Sequence, residues 1–174
     1  MLQLSASLLN RSVMSLRTGG VVATTETAII NPNNLKIEGF YCFDQFSKQR
    51  LILLAQDIRD IIGQGLVVND HDVLTEPDEL IRLKQILDLQ FELLGKPVQT
   101  VSKQKIGKVE DFAADSETLH IQKLYIGQSL LKNFSNGQLS VDRDQIVEIT
   151  NKRVVIQDLE NKANSGVRAT APAI

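Results

Sequence analysis

Leu35-Lys36-Ile37-Glu38-Gly39-Phe40-Tyr41 and Leu119-His120-Ile121-Gln122-Lys123-Leu124-Tyr125 carry one pattern twice. In the first, Leu35, Ile37 and Gly39 alternate with Lys36 and Glu38. In the second, Leu119, Ile121 and Lys123 alternate with polar neighbours, and Phe40-Tyr41 falls on Leu124-Tyr125. A period of two is the signature of a strand with one buried face. Moving outward, Leu8-Leu9-Asn10-Arg11-Ser12-Val13 lies on Leu93-Leu94-Gly95-Lys96-Pro97-Val98 at an offset of 85 residues. Leu16 then meets Val101 and Val21 meets Ile106, and a one-residue slip brings in the two strands above. Further on, at an offset of 88, Ile58-Arg59-Asp60-Ile61 meets Ile146-Val147-Glu148-Ile149, and Val67-Val68-Asn69-Asp70 meets Val155-Ile156-Gln157-Asp158. Drifts of this size are loop-length changes, which surface connections tolerate cheaply. The chain therefore reads as two copies of one unit of about 80 residues, the scale on which repeated architectures are sought.

Turn chemistry separates the strands of each copy. Thr18-Gly19-Gly20, Asn31-Pro32-Asn33-Asn34, Gly63-Gln64-Gly65, Ser135-Asn136-Gly137 and Asn151-Lys152 supply residues that accept left-handed or fixed backbone angles. Val13 to Leu16 followed by Gly19-Gly20-Val21 reads as a hairpin, with Val98 to Val101 and Gln104-Lys105-Ile106-Gly107 as its counterpart. Many short strands with glycine-rich turns predict small barrels. Two segments, Gln56-Asp57-Ile58-Arg59-Asp60-Ile61 and Asp144-Gln145-Ile146-Val147-Glu148-Ile149, space isoleucines three apart and predict a single helical turn or a tight connector.

Thr75-Glu76-Pro77-Asp78-Glu79 predicts a short helix, with Thr75 as cap and acids in the first turn. After Gln85, Leu87, Leu89, Phe91 and Leu93 alternate with Asp88, Gln90 and Glu92, which predicts a strand opening the second copy. The expected organisation is a first unit at residues 1–75, a connector at 76–85, a second unit at 86–159, and a disordered tail at 160–174 rich in Ala, Asn, Ser, Gly and Thr. A unit of this size buries only about 60 to 65% of its unfolded surface, so the two are expected to pack together and unfold in one transition.

Composition excludes several classes. With 43% hydrophobic and 23% charged residues, the 174-residue chain belongs with ordinary globular proteins. No run approaches the roughly 18 to 20 consecutive apolar residues of a membrane span, so no membrane insertion is expected. The first nine residues lack the basic start of a secretory signal. Cys42 is the single cysteine, which excludes an intrachain disulfide and points to a reducing cytoplasm. A net charge of −2 gives no global attraction to nucleic acid or anionic lipid.

The search for chemistry returns little. His71 and His120 fall in different copies without ligand-spaced partners, and Asn69-Asp70-His71-Asp72 lacks the central glycine and closing glutamate of a calcium loop. Cys42 has no neighbouring cation to stabilise a thiolate and reads as a small buried hydrophobe. No nucleophile elbow, triad series, phosphate loop or dinucleotide fingerprint is present. The acidic pairs Glu110-Asp111 and Asp57 with Asp60 read as solvated surface. No catalytic residue, metal or cofactor is expected. The least ordinary feature is the cluster Lys96, Lys103, Lys105 and Lys108. It is local, because residues 86–174 carry eleven basic and eleven acidic side chains. It reads first as a solvated strand face and second as a contact for RNA phosphate or an acidic partner. Phe43 and Phe46, in Phe43-Asp44-Gln45-Phe46-Ser47-Lys48, sit at a hairpin tip where they either anchor a partner or, the favoured reading, pack across the joint between units.

The ordered series Leu94-Gly95-Lys96-Pro97-Val98, Ile106-Gly107-Lys108-Val109, the strand 119–125 and Val141-Asp142-Arg143-Asp144-Gln145-Ile146 resembles the PRC-barrel family. The first copy follows it less closely, with Asn10 in place of Gly95. The resemblance spans about residues 1–160 and implies a mostly β chain of two tandem PRC-type barrels joined by a short helical connector. Relatives include the barrel of the photosynthetic reaction centre H subunit and that of the ribosome maturation factor, and stand-alone tandem barrels look bacterial. What the resemblance implies is a non-enzymatic, cytoplasmic adaptor for a protein partner, with a ribosome maturation or RNA-processing accessory factor as the alternative. It sets no oligomeric state.

Overall fold

The computed structural model describes residues 1–127 and 138–159, and the expected tail at 160–174 and the turn at Ser135-Asn136-Gly137 lie outside them. The chain is mostly β, built as two sheets, one of which curves into a half-barrel. Strand β1 (Leu2–Leu4) and helix α1 (Ser5–Leu8) come first, and five strands follow: β2 (Ser12–Ser15), β3 (Val21–Asn31), β4 (Lys36–Asp44), β5 (Arg50–Leu54) and β6 (Ile58–Ile62). Strand β7 (Gly65–Val68) ends the first series, and helix α2 (Lys84–Asp88) connects it to the second. The second comprises β8 (Pro97–Thr100), β9 (Lys105–Asp115), β10 (Ile121–Gly127), β11 (Gln138–Asp142), β12 (Ile146–Ile149) and β13 (Val154–Ile156).

The two sheets have one topology. The first runs β5-β4-β3-β2-β7-β6 and the second β11-β10-β9-β8-β13-β12. In each, a meander lays down four strands and a final hairpin returns to pair in parallel with the first. Val13 faces Leu66 in one parallel pair and Val98 faces Val154 in the other, which are the positions the repeat equates. The bulges recur as well, since the register skips Glu26 of β3, opposite Tyr41 and Cys42, and its counterpart Glu110 of β9, opposite Tyr125 and Ile126.

The units meet on a two-fold-like seam. Lys36 and His120 form an antiparallel bridge, Ile37 donates to the Leu119 carbonyl at 2.9 Å, and Ile121 donates to the Leu35 carbonyl at 2.9 Å. Each contact is the other's mirror in the repeat, the hallmark of an isologous interface. Leu35 and Leu119 both hold φ at 55°, the left-handed region, because each closes a tight turn by donating to Asn31 and Asp115 respectively. One continuous apolar cluster runs through Val13, Ile37, Phe40 and Leu66 of one unit into Phe112, Leu119, Ile121 and Val154 of the other. Strand β1 crosses the seam and pairs antiparallel with β9, with Leu2 opposite Asp115 and Leu4 opposite Ala113.

Three local expectations are corrected. Residues 87–93 form no strand, because Lys84–Asp88 is helical and only Phe91 and Leu93 are buried beyond it. The leucines of that stretch are good helix formers, and the segment lies along the edge of β3 without pairing to it. Thr75 does not cap a helix; it bridges to Ile52, and the 3-10 turn Pro77–Glu79 has no side-chain cap. The isoleucine-spaced segments are 3-10 only at Ala55–Asp57 and Arg143–Gln145, while their isoleucines enter β6 and β12. No described helix is long and apolar enough to cross a membrane.

Candidate interaction surface

Three loops converge at one end of the first unit: the β2–β3 turn, the β4–β5 turn and the turn after β7. Asp44 ends β4 and is 1% exposed. Its carboxylate accepts from the Ser47 N–H at 3.0 Å, the Phe46 N–H at 3.3 Å, the Ser47 hydroxyl, and His71 Nε2 at 2.7 Å. Burial pushes this carboxyl up, but the Ser47 hydroxyl and N–H, His71 and the Phe46 N–H together outweigh it and bring the pKa down to about 2. An aspartate followed three residues later by a serine is a turn-closing device, and here it fixes the loop that carries Phe46.

The loops are tied to one another. Arg17 donates its N–H to the Asn69 carbonyl at 3.1 Å and its guanidinium to Asp70 at 3.0 Å, while the Ser15 hydroxyl reaches Asp70 at 3.0 Å. The His71 N–H leads the hydrogen bonds that hold Asp70 below the usual carboxylate range. Gln45 donates to the Val22 carbonyl at 3.0 Å, which pins the β4–β5 turn against β3. On this base Phe46 is 66% exposed and stands edge-on to His71, with ring centroids 4.8 Å apart. Phe43 is 37% exposed under Lys48, whose Nζ lies 6.0 Å from the ring centre. Leu16 and Val21 are also exposed on the adjoining turn.

Phe43 and Phe46 thus do not pack across the joint between units. That joint is filled by Leu35, Ile37, Leu119 and Ile121, and the hairpin tip lies at the other end of β4.

The lysine cluster is divided. Lys96 is 9% exposed, donates to the Asn151 carbonyl at 2.7 Å and lies 4.7 Å from the Phe91 ring centre, so it is not on the surface with the others. Burial pushes its pKa down. Lys103 occupies the β8–β9 turn at φ 66° and is exposed, as are Lys105 and Lys108. A bulge at Ile106 resets the alternation: Ile106 and Val109 are both buried, so Lys105 and Lys108 share the outer face.

Cys42 is fully buried, and burial pushes its thiol up to about 12, leaving no thiolate at neutral pH. Asp111 accepts from the Ser5 N–H at 3.2 Å. Among the described residues no group of three or more His, Cys, Asp or Glu side chains comes together to hold a metal. The pairing of His71 with Asp44, 27 residues apart, was not read from the sequence; the only local signal for it was the Asp44-to-Ser47 turn. No protein-family model matches the chain, and no curated protein sequence does.

Proposed function

We propose that the chain is a non-enzymatic interaction module, a tandem of PRC-type barrels that docks a cytoplasmic protein partner through the loop end of its first unit. The shared strand order, with a last hairpin returning in parallel to the first strand, supports reading each unit as one such barrel. The observation that carries the docking site is Phe46, a large aromatic held out to solvent on a turn already ordered by Asp44 and His71. An anchor fixed before binding loses little entropy on association, and exposed aromatics are the residue type that concentrates binding energy. Phe43, Leu16 and Val21 supply apolar surroundings, and Lys48 and Arg17 a basic rim.

A second reading, a ribosome or RNA-processing accessory factor, rests on the exposed Lys103, Lys105 and Lys108 of the β8–β9 hairpin. One experiment separates the two. The tagged full chain is used to capture partners from its native host, with and without nuclease, beside the double variant Phe43→Ser/Phe46→Ser. The docking reading expects a defined protein that survives nuclease and is lost in the double variant at unchanged melting temperature. A captured set that the double variant retains contradicts it. A set that vanishes with nuclease, and with Lys103→Glu/Lys105→Glu, establishes the RNA reading in its place.

A further inference from the structure

Ile30 turns both of its backbone polar groups away from β4. Its cross-strand partner Ile37 gives its own N–H to Leu119 across the seam, so Ile30 and Ile37 form a non-hydrogen-bonded pair. The Ile30 N–H and C=O therefore point to the opposite edge of β3, and no backbone group of another described element reaches them. Ile30 is 4% exposed, and a peptide group so placed is normally paired.

The repeat displays the missing partner. Ala114 is the counterpart of Ile30 in β9, and its free edge is taken by Gln3 of β1, in the register Leu2 to Asp115 and Leu4 to Ala113. Beside residues 27–30 there is instead a groove of about 570 Å³ walled by Leu9, Ala28, Ile30, Phe91 and Phe112. Helix α2 lies at its mouth, where the repeat has a strand. It is five residues long with no side-chain cap, too short to persist without its packing.

Two differences between the filled and the open edge set the chemistry of the occupant. Asp111 accepts from Ser5 in the filled slot, whereas its counterpart Thr27 already accepts from Arg50 at 3.0 Å. Arg50 also stacks over Tyr41 at 4.0 Å from its ring centre and pairs with Glu26 at 3.0 Å, so the open slot offers a guanidinium shared with one carboxylate where the filled one offers a carboxylate. Pro32 replaces Ser116, whose N–H binds the Met1 carbonyl at 2.8 Å, so pairing along β3 ends at Asn31.

We propose that the free edge of β3 over residues 29–31 takes an extended segment of a partner protein, apolar at alternate positions and followed by an acidic residue that meets Arg50. This is strand addition: main-chain bonds to Ile30 give affinity, and the groove and Arg50 give selectivity. It extends the interaction-module reading to a second surface and rests on that reading for a partner's existence.

The test titrates the full chain with a labelled octapeptide of residues 1–8 carrying Ser5→Glu, following fluorescence anisotropy and amide exchange by NMR. Saturable binding is expected, with exchange of the Ile30 amide slowed about tenfold or more. Affinity should fall about two- to fivefold when the peptide's fifth residue is serine, or when the protein carries Arg50→Gln. No saturation at millimolar peptide overturns the proposal. So does binding reported at Ala114 instead of Ile30, which would mean exchange with β1. The Phe43→Ser/Phe46→Ser variant is expected to bind the peptide as the parent does, so failure at this edge and failure at the loop end are read separately.

Discussion

His71 Nε2 lies 2.7 Å from the buried carboxylate of Asp44, and the same imidazole forms the wall against which Phe46 stands. The loop end is thereby built from within: β4 delivers a carboxylate, four backbone and side-chain donors satisfy it, and the outermost of them supports the exposed ring. Removing the carboxylate removes what orders the turn.

Asp44 consequently links stability to pH. Its folded pKa of about 2 lies below the ordinary aspartate value of 3.8, so its contribution is complete above about pH 4 and is lost as pH falls toward 2. The loss is on the order of 2 kcal/mol. Urea unfolding measured across that range should show the slope in the parent and a flatter profile in Asp44→Asn, which is already destabilised at neutral pH.

Gly65 and Gly19 both hold positive φ, yet substitution should cost different amounts. At Gly65, φ is 154° and an added methyl collides with the Ser12 backbone in the parallel β2–β7 pair, whereas at Gly19, φ is 70° and nothing stands nearby. Gly65→Ala is expected to cost about 3 kcal/mol or more through strain and a disrupted ladder. Gly19→Ala should cost about 1 kcal/mol, the backbone penalty alone. Denaturant midpoints of the two variants give the comparison.

Lys96 should behave as a core residue and its former companions as surface. Lys96→Ala forfeits the bond to Asn151 and the contact with Phe91, for an expected cost of about 1 to 2 kcal/mol. Lys103→Ala, Lys105→Ala and Lys108→Ala should each fall within about 0.5 kcal/mol of the parent. Chemical denaturation distinguishes them.

The shared core predicts a single cooperative unfolding transition, because the apolar cluster and β1 both cross the seam. Calorimetry should give one peak. Leu119→Ala, emptying a site at the seam, should lower the stability by about 2 to 4 kcal/mol without splitting the peak.

Much of this architecture was legible in the sequence because the repeat registers local periodicity twice. Val13 and Val98, or Leu66 and Val154, occupy matching places, and a turn of Asn31 or Asp115 precedes each long strand. What was not legible depends on partners distant along the chain. The alternation of Leu87, Leu89, Phe91 and Leu93 read as a strand, but whether such a stretch extends is decided by a neighbouring edge, and α2 formed instead. The exchange of β1 into the second sheet leaves no mark in Leu2-Gln3-Leu4 that would distinguish one edge from the other. Phe43 and Phe46 read as packing across the joint between units, while the length of β4 carries their hairpin tip to the end away from that joint. Lys96 and Lys108 looked alike until a neighbouring turn offered one of them the Asn151 carbonyl.

The most direct test of the docking account places a photo-cross-linking phenylalanine analogue at position 46 of the full chain in its native host, with the same analogue at the exposed Ile81 as a control. The account predicts one dominant protein adduct from position 46 that position 81 does not give. Equal labelling from both positions, or adducts to RNA alone, would contradict it.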